Sequence, residues 1–341
     1  MKTISIVLAL GLVGLASTNA ISQNIQRPII TSPSPAVKAM AARNAPVRVA
    51  FGEGVSNEYL ITATDVALGA APILSDFRLW FNNGDHKVRT IGVLHEGGGM
   101  RANFSDQNGD DPFRAKAKWL VIPGATGGTI SAVGGGTFNI QLPPKPANTT
   151  LVIAGFSFER QAGTDANIRT IAIKMDQENS IAQVSLIDDQ REDYRGIVEP
   201  TMTGGVLGLV PFGTLYGSGL SMESIIRGIL NEGRNTARPY SATIQYAYVP
   251  NARISSSGAV SGTGRQKALM QGQHPGVGHL VYRGFVMRFN NSDHHLLGMG
   301  LHINGMPGFP GQRVVTDSPI TWQDNNNDDP LQWYVDYSTV N

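Results

Sequence analysis

The chain has 341 residues, 41% of them apolar and 16% charged, enough for a sizeable core in one large domain or roughly two to three small ones. A formal net charge of +1, from 27 basic and 26 acidic residues, excludes the phosphate-neutralising surplus that nucleic-acid binding needs. Cysteine is absent, which excludes thiol catalysis, thiolate metal sites and disulfides, while Gly 40 and Pro 19 point to many turns and short elements.

Residues 1–20 read as a secretory signal of bacterial style. Lys2 is the positive n-region, Ile4 to Leu15 the apolar h-region, and Thr18-Asn19-Ala20 the small residues before a cut. The expectation is a secreted protein, periplasmic or extracellular. Residues 21–46 hold Pro28, Pro33, Pro35 and Pro46 among Ser, Asn and Gln, and read as a flexible leader.

A first β unit is expected over 47–123. Its repeat, 73–123, opens with the alternating run Phe77-Arg-Leu-Trp-Phe81 and turns at Asn82-Asn-Gly-Asp85-His86. Val88, Ile91 and Val93 carry the next strand. Asn103-Phe-Ser105 leads into Asp106-Gln-Asn108-Gly-Asp110-Asp111, and the run ending Trp119-Leu-Val-Ile-Pro123 closes the unit. Residues 124–150 read as a Gly/Pro connector with one strand, Thr137 to Leu142. A second unit spans 151–250, with an insertion at 195–241, and residues 251–279 read as a Ser/Gly linker. A third unit covers 280–341.

The units share their spacing. From Asp85, Asp165 and Asp293, apolar residues fall three, six and eight positions on: Val88, Ile91, Val93; Ile168, Ile171, Ile173; Leu296, Met299, Leu301. The closing aromatic lies 13 residues after Asp106 (Trp119) and 13 after Asp324 (Tyr337), but 58 after Asp188 (Tyr246), where the insertion intervenes. Such self-similarity marks stacked or pseudosymmetric units. The expected fold is all-β: three pseudo-repeats of about four antiparallel strands each, packed as a sandwich, prism or trefoil-like body. One helix is expected in the insertion of the second repeat, capped by Ser221 with Ile225, Ile226, Ile229 and Leu230 on one face.

Three features can carry chemistry. The acidic loops follow one pattern: Asp106, Asn108, Asp110, Asp111; Asp188, Gln190, Glu192, Asp193; Asp324, Asn326, Asp328, Asp329. Carboxylate and amide oxygens converging on a tight loop suit Ca²⁺, and the first and third loops are the candidate metal sites. They are not EF-hands, since Gly109 and Ala117 sit where that motif needs other residues, and Arg191 opposes a cation in the second loop. The same loops also fit solvated hairpin turns held by Asx hydrogen bonds. The turns Asp85-His86 and Asp293-His294 are candidate ligand-binding positions, because a carboxylate beside a histidine can orient it. Trp322 and Trp333, beside Asn and Asp, would suit sugar rings if they faced outward; as core residues they would bury large areas.

No Gly-x-Ser-x-Gly or His-Glu-x-x-His motif occurs, so the reading leans away from an enzyme, although a carboxylate pair assembled in space would fit glycoside hydrolysis. The expected function is a secreted, non-enzymatic, lectin-like binding protein with repeated sites for a glycan or surface polymer, with calcium as a candidate cofactor. Two alternatives stand beside it. The uncharged stretch 200–222, within a segment 200–230, could contact a membrane as in pore-forming proteins. A structural surface or matrix component could instead assemble through sheet edges.

Overall fold

Apolar side chains fall at alternate positions of most segments. Phe77, Leu79 and Phe81 alternate with Arg78 and Trp80; Met100, Ala102 and Phe104 with Arg101 and Asn103; Tyr240, Ala242, Ile244 and Tyr246 with Ser241, Thr243 and Gln245. A period of two places one set on a single face of a strand, and burying each large apolar side chain contributes about 1.5–3 kcal/mol. The all-β class follows from this pattern.

The computed structural model describes residues 48–55, 58–62, 71–84, 86–97, 99–106, 111–161, 167–188, 238–264, 279–289, 295–302, 320–323 and 331–341. Its strands are β1 (Arg48–Val55), β2 (Glu58–Thr62), β3 (Pro72–Phe81), β4 (Val88–Glu96), β5 (Gly99–Asp106), β6 (Phe113–Val121), β7 (Thr126–Gln141), β8 (Thr149–Arg160), β9 (Ile168–Asp176) and β10 (Ile181–Asp188). They continue with β11 (Pro239–Pro250), β12 (Ile254–Gly264), β13 (His279–Phe289), β14 (Gly298–Leu301), β15 (Ile320–Gln323) and β16 (Leu331–Val340). A 3-10 turn, Asn251–Arg253, is the only helical element among the described residues. The helix expected in the insertion, and the uncharged 200–222 stretch, lie outside the described residues, as do the signal segment and the leader. No described helix is long and apolar enough to cross a membrane.

Two antiparallel sheets result. One has the order β1-β6-β3-β14-β15, the other β12-β16-β13-β9-β10-β7-β11-β8-β4-β5-β2. Hairpin partners are β4 with β5, β9 with β10, and β14 with β15. β3 pairs with β6, β8 with β11, and β13 with β16. The longer-range pairings are β8 with β4, β13 with β9, and β3 with β14. Where β3, β8 and β13 meet their partners β6, β11 and β16, each skips one residue (Ser75, Ala154 and Arg283), just where Trp119, Tyr246 and Tyr337 stand on the other strand. A bulge of this kind turns the strand and switches which residues face inward.

The larger core joins both sheets. Within it Phe77, Phe156 and Phe285, from β3, β8 and β13, meet one another with ring centroids 5.2, 5.5 and 6.4 Å apart. A smaller cluster includes Ile73, Val152 and Val281 near the starts of the same strands, with Ile122, Val249 and Val340 near the ends of their partners.

Two segments differ from expectation. The connector at 124–150 was expected to hold one short strand. It forms the sixteen-residue β7, which pairs with β11 through Gly135 and with β10 from Gly136 onward. Gly136 adopts φ +56°, a conformation in which glycine avoids the Cβ penalty, and it marks the change of partner. Residues 254–264 of the expected linker form β12 along β16. Small residues are what this edge needs. Ser256 and Ser257 hydroxyls meet Thr339 and Ser338, and a Cβ on Gly258 would come within 3.1 Å of the Tyr337 hydroxyl. Low strand propensity in Gly and Ser hides β12 and the first part of β7, before Thr137.

Close approach also governs β4. A Cβ on Gly92 would lie 2.3 Å from the Phe156 carbonyl oxygen and 2.4 Å from Ser157 Cα, both backbone atoms. Gly92→Ala is therefore expected to destabilise the protein by about 1–3 kcal/mol, the usual cost of overpacking. Urea unfolding checks this: the midpoint should fall at an unchanged slope.

Candidate functional site

Among the described residues, the His and Asp side chains close enough to share an ion sit where the turn after β3 meets Asp106, at the end of β5, and Asp111, just before β6. The turn is anchored on both sides. Asn82 N donates to Pro112 O at 2.9 Å and Phe81 N to Leu297 O at 3.0 Å. His86 forms a two-way bridge with Leu296, its N–H donating at 3.2 Å and its carbonyl accepting at 3.0 Å. Beneath it the Phe81 ring stacks on Phe104 at 4.0 Å and lies 4.5 Å from the imidazole. The imidazole thus has an apolar floor, and the turn that carries it is tied to two neighbouring segments.

Its Nδ1 stands 3.1 Å from Asp111 Oδ2 and 3.7 Å from Asp106 Oδ2. One such atom from each of His86, Asp106 and Asp111 lies within 4.8 Å of the other two. Asn83 completes the arrangement. Its Oδ1 is 3.1 Å from His86 Nε2, and its Nδ2 donates to Asp111 Oδ1. The side chains are about four-fifths or more buried, at 18%, 12% and 19% exposure for His86, Asp106 and Asp111. Burial pushes the Asp111 carboxyl up, but the Asn83 amide, a hydrogen bond shared with Asp106 and the His86 charge outweigh it, leaving Asp111 below the usual carboxylate range.

Such a group can hold a cation or the hydroxyls of a polar ligand. General-base chemistry fits it poorly, because Nε2 is engaged by Asn83 and Nδ1 by the carboxylates.

Of the residues singled out from the sequence, His86, Asp106 and Asp111 come together. Asp85, Asn108, Asp110, Asp293, His294, Asp324, Asn326, Asp328 and Asp329 lie outside the described residues. Trp322 and Trp333 are 1% and 2% exposed and belong to the larger core, Trp322 lying 5.3 Å from the Phe289 ring. They offer no outward face for a sugar; Trp333, Val335 and Tyr337 share the inward side of β16. Asp188, which opens the second acidic pattern, is bound by both terminal nitrogens of Arg160. Asn83 was not singled out, although its place three residues before His86 in an Asn-Asn-Gly turn was a readable signal.

No protein-family model matches the chain, and no curated protein matches it at a significant level.

Proposed function

We propose that this is a secreted, non-enzymatic, lectin-like binding protein, built from three copies of one unit about a pseudo-threefold axis. The observation that carries the threefold build, and with it the repeated sites of the reading, is the trio Phe77, Phe156 and Phe285. One comes from the first strand of each copy, at matching places, and the three rings touch. The pairings support it: β8 takes β4, β13 takes β9 and β3 takes β14, so each copy's first strand joins another copy's second strand in a closed cycle. The three skipped residues opposite Trp119, Tyr246 and Tyr337 support it again.

A closed cycle would hold three turn regions at fixed separations. Several weak sites on one rigid body bind a polymer far more tightly than one, because each engagement raises the effective concentration for the next. The turn of the first copy carries Asn83, His86, Asp106 and Asp111, polar groups suited to sugar hydroxyls, directly or through a cation. With Trp322 and Trp333 buried, recognition would run through hydrogen bonding and coordination rather than ring stacking on those residues. The loop pattern alone suggests Ca²⁺, an identity that the imidazole at this turn puts in question, and export is read from residues 1–20.

A glycan array with and without EDTA tests the proposal. Binding that EDTA abolishes supports a cation-dependent lectin. Binding that survives EDTA supports the lectin and removes the cation from it. No binding under either condition overturns the glycan reading.

A further inference from the structure

We infer that His86, Asp106 and Asp111, oriented by Asn83, form a site for a divalent cation of the zinc class rather than for Ca²⁺. The inference concerns the metal alone and does not rest on the glycan reading.

The first argument is ligand type. Ca²⁺ takes six to eight oxygen ligands, whereas imidazole nitrogen suits zinc, nickel, copper and iron. Here the atom that faces both carboxylates is an imidazole nitrogen.

The second is distance. Zinc bonds of about 2.0–2.2 Å in a tetrahedron put neighbouring ligand atoms about 3.4 Å apart. The two Nδ1 to carboxylate separations, 3.1 and 3.7 Å, straddle that value. Three protein ligands leave the fourth corner for a water or an incoming hydroxyl, as in zinc sites that do more than hold a fold together.

The third is the outer partner. A metal-binding histidine usually engages its other ring nitrogen with a hydrogen-bond acceptor, which fixes the tautomer and ring orientation. Asn83 Oδ1 serves His86 Nε2 in this way, while Asn83 Nδ2 holds Asp111 Oδ1. One side chain thus orients two ligands and turns Nδ1 and Oδ2 toward each other. In metal binding, Nδ1 presents its lone pair to the ion while Nε2–H donates to Asn83 Oδ1.

The test uses the full chain, stripped with a chelator and dialysed against Zn²⁺. Wild type is expected to bind one more equivalent than His86→Ala. Asp111→Asn reads the same site if His86→Ala does not fold, and circular dichroism of the stripped proteins shows which do. Asn83→Ala is expected to keep the equivalent but to weaken it by about 10–100-fold, the usual effect of losing an outer partner. Co²⁺ in place of Zn²⁺ should give the intense visible bands of a four-coordinate centre in wild type, and His86→Ala should lose them. The inference is overturned if a folded His86→Ala or Asp111→Asn binds as many equivalents as wild type. It is equally overturned if Ca²⁺ at equal concentration displaces the Zn²⁺.

Discussion

Replacing Arg160 with methionine is expected to destabilise the protein by about 3–5 kcal/mol, the cost of leaving one charge of a buried pair uncompensated. Arg160 ends β8 and Asp188 ends β10. Their side chains are 1% and 4% exposed. Nη1 donates to Oδ2 at 2.6 Å and Nη2 donates to Oδ1, the paired geometry that makes arginine–carboxylate contacts specific. Nearby, the Tyr240 hydroxyl, raised well above its ordinary range chiefly by burial, donates to Gly136 O at 2.9 Å. Water has little access, so Asp188 without Arg160 must stay charged in an apolar setting or take up a proton. The pair itself is a different matter, because desolvating both ions offsets most of their attraction. The double variant Arg160→Met with Asp188→Leu is expected to lie within about 1 kcal/mol of wild type. Urea unfolding of the three proteins decides: a single variant as stable as wild type would show that the pair is solvated.

The same pair bears on how much could be read from the sequence. Asp106 and Asp188 open loops of one pattern, and nothing in the pattern says that one faces an imidazole and the other a guanidinium. Strand β3 was legible, because alternation leaves Phe77, Leu79 and Phe81 only one face to bury. Trp119, Tyr246 and Tyr337, which the spacing singles out, are all buried, each opposite a skipped residue. Two kinds of information were not local. Strand propensity undervalued the first part of β7 and β12, where Gly128 and Gly258 make room for Tyr246 and Tyr337 rather than expressing a preference of their own. Which way Trp322 and Trp333 point is decided by register against β14 and β13, which composition does not encode. At the candidate site, the residue types and their loops were readable. Their meeting required the pairing of β4 with β5 and of β3 with β6.

A second large effect is expected on acidification, through His302. It follows β14 and is 6% exposed, beside Arg78 of β3, which is 3% exposed. Arg78 Nη2 lies 3.0 Å from His302 Nε2 and 3.4 Å from Nδ1. Burial lowers the guanidinium to about 10. Burial first, and the Arg78 charge second, lower the imidazole to about 3. A guanidinium has only protons to offer, so the imidazole must present a lone pair and stay neutral. In the unfolded chain histidine titrates near 6.5, so between about 6.5 and 3 the unfolded state binds a proton that the folded state refuses. The unfolded state then binds more protons, and stability falls as pH falls. The contribution is intact above about pH 6.5, is reduced by about 2 kcal/mol at pH 5, and is reduced by about 4 kcal/mol near pH 3. Carboxylates titrate in the lower part of that window, so the comparison must be differential. His302→Gln keeps a neutral acceptor for Arg78 and removes the titration. Wild type is expected to lose about 2 kcal/mol more than this variant between pH 7 and pH 5, measured by urea unfolding at each pH. Equal losses would mean that His302 charges in the folded state, and that Arg78 moves aside when it does.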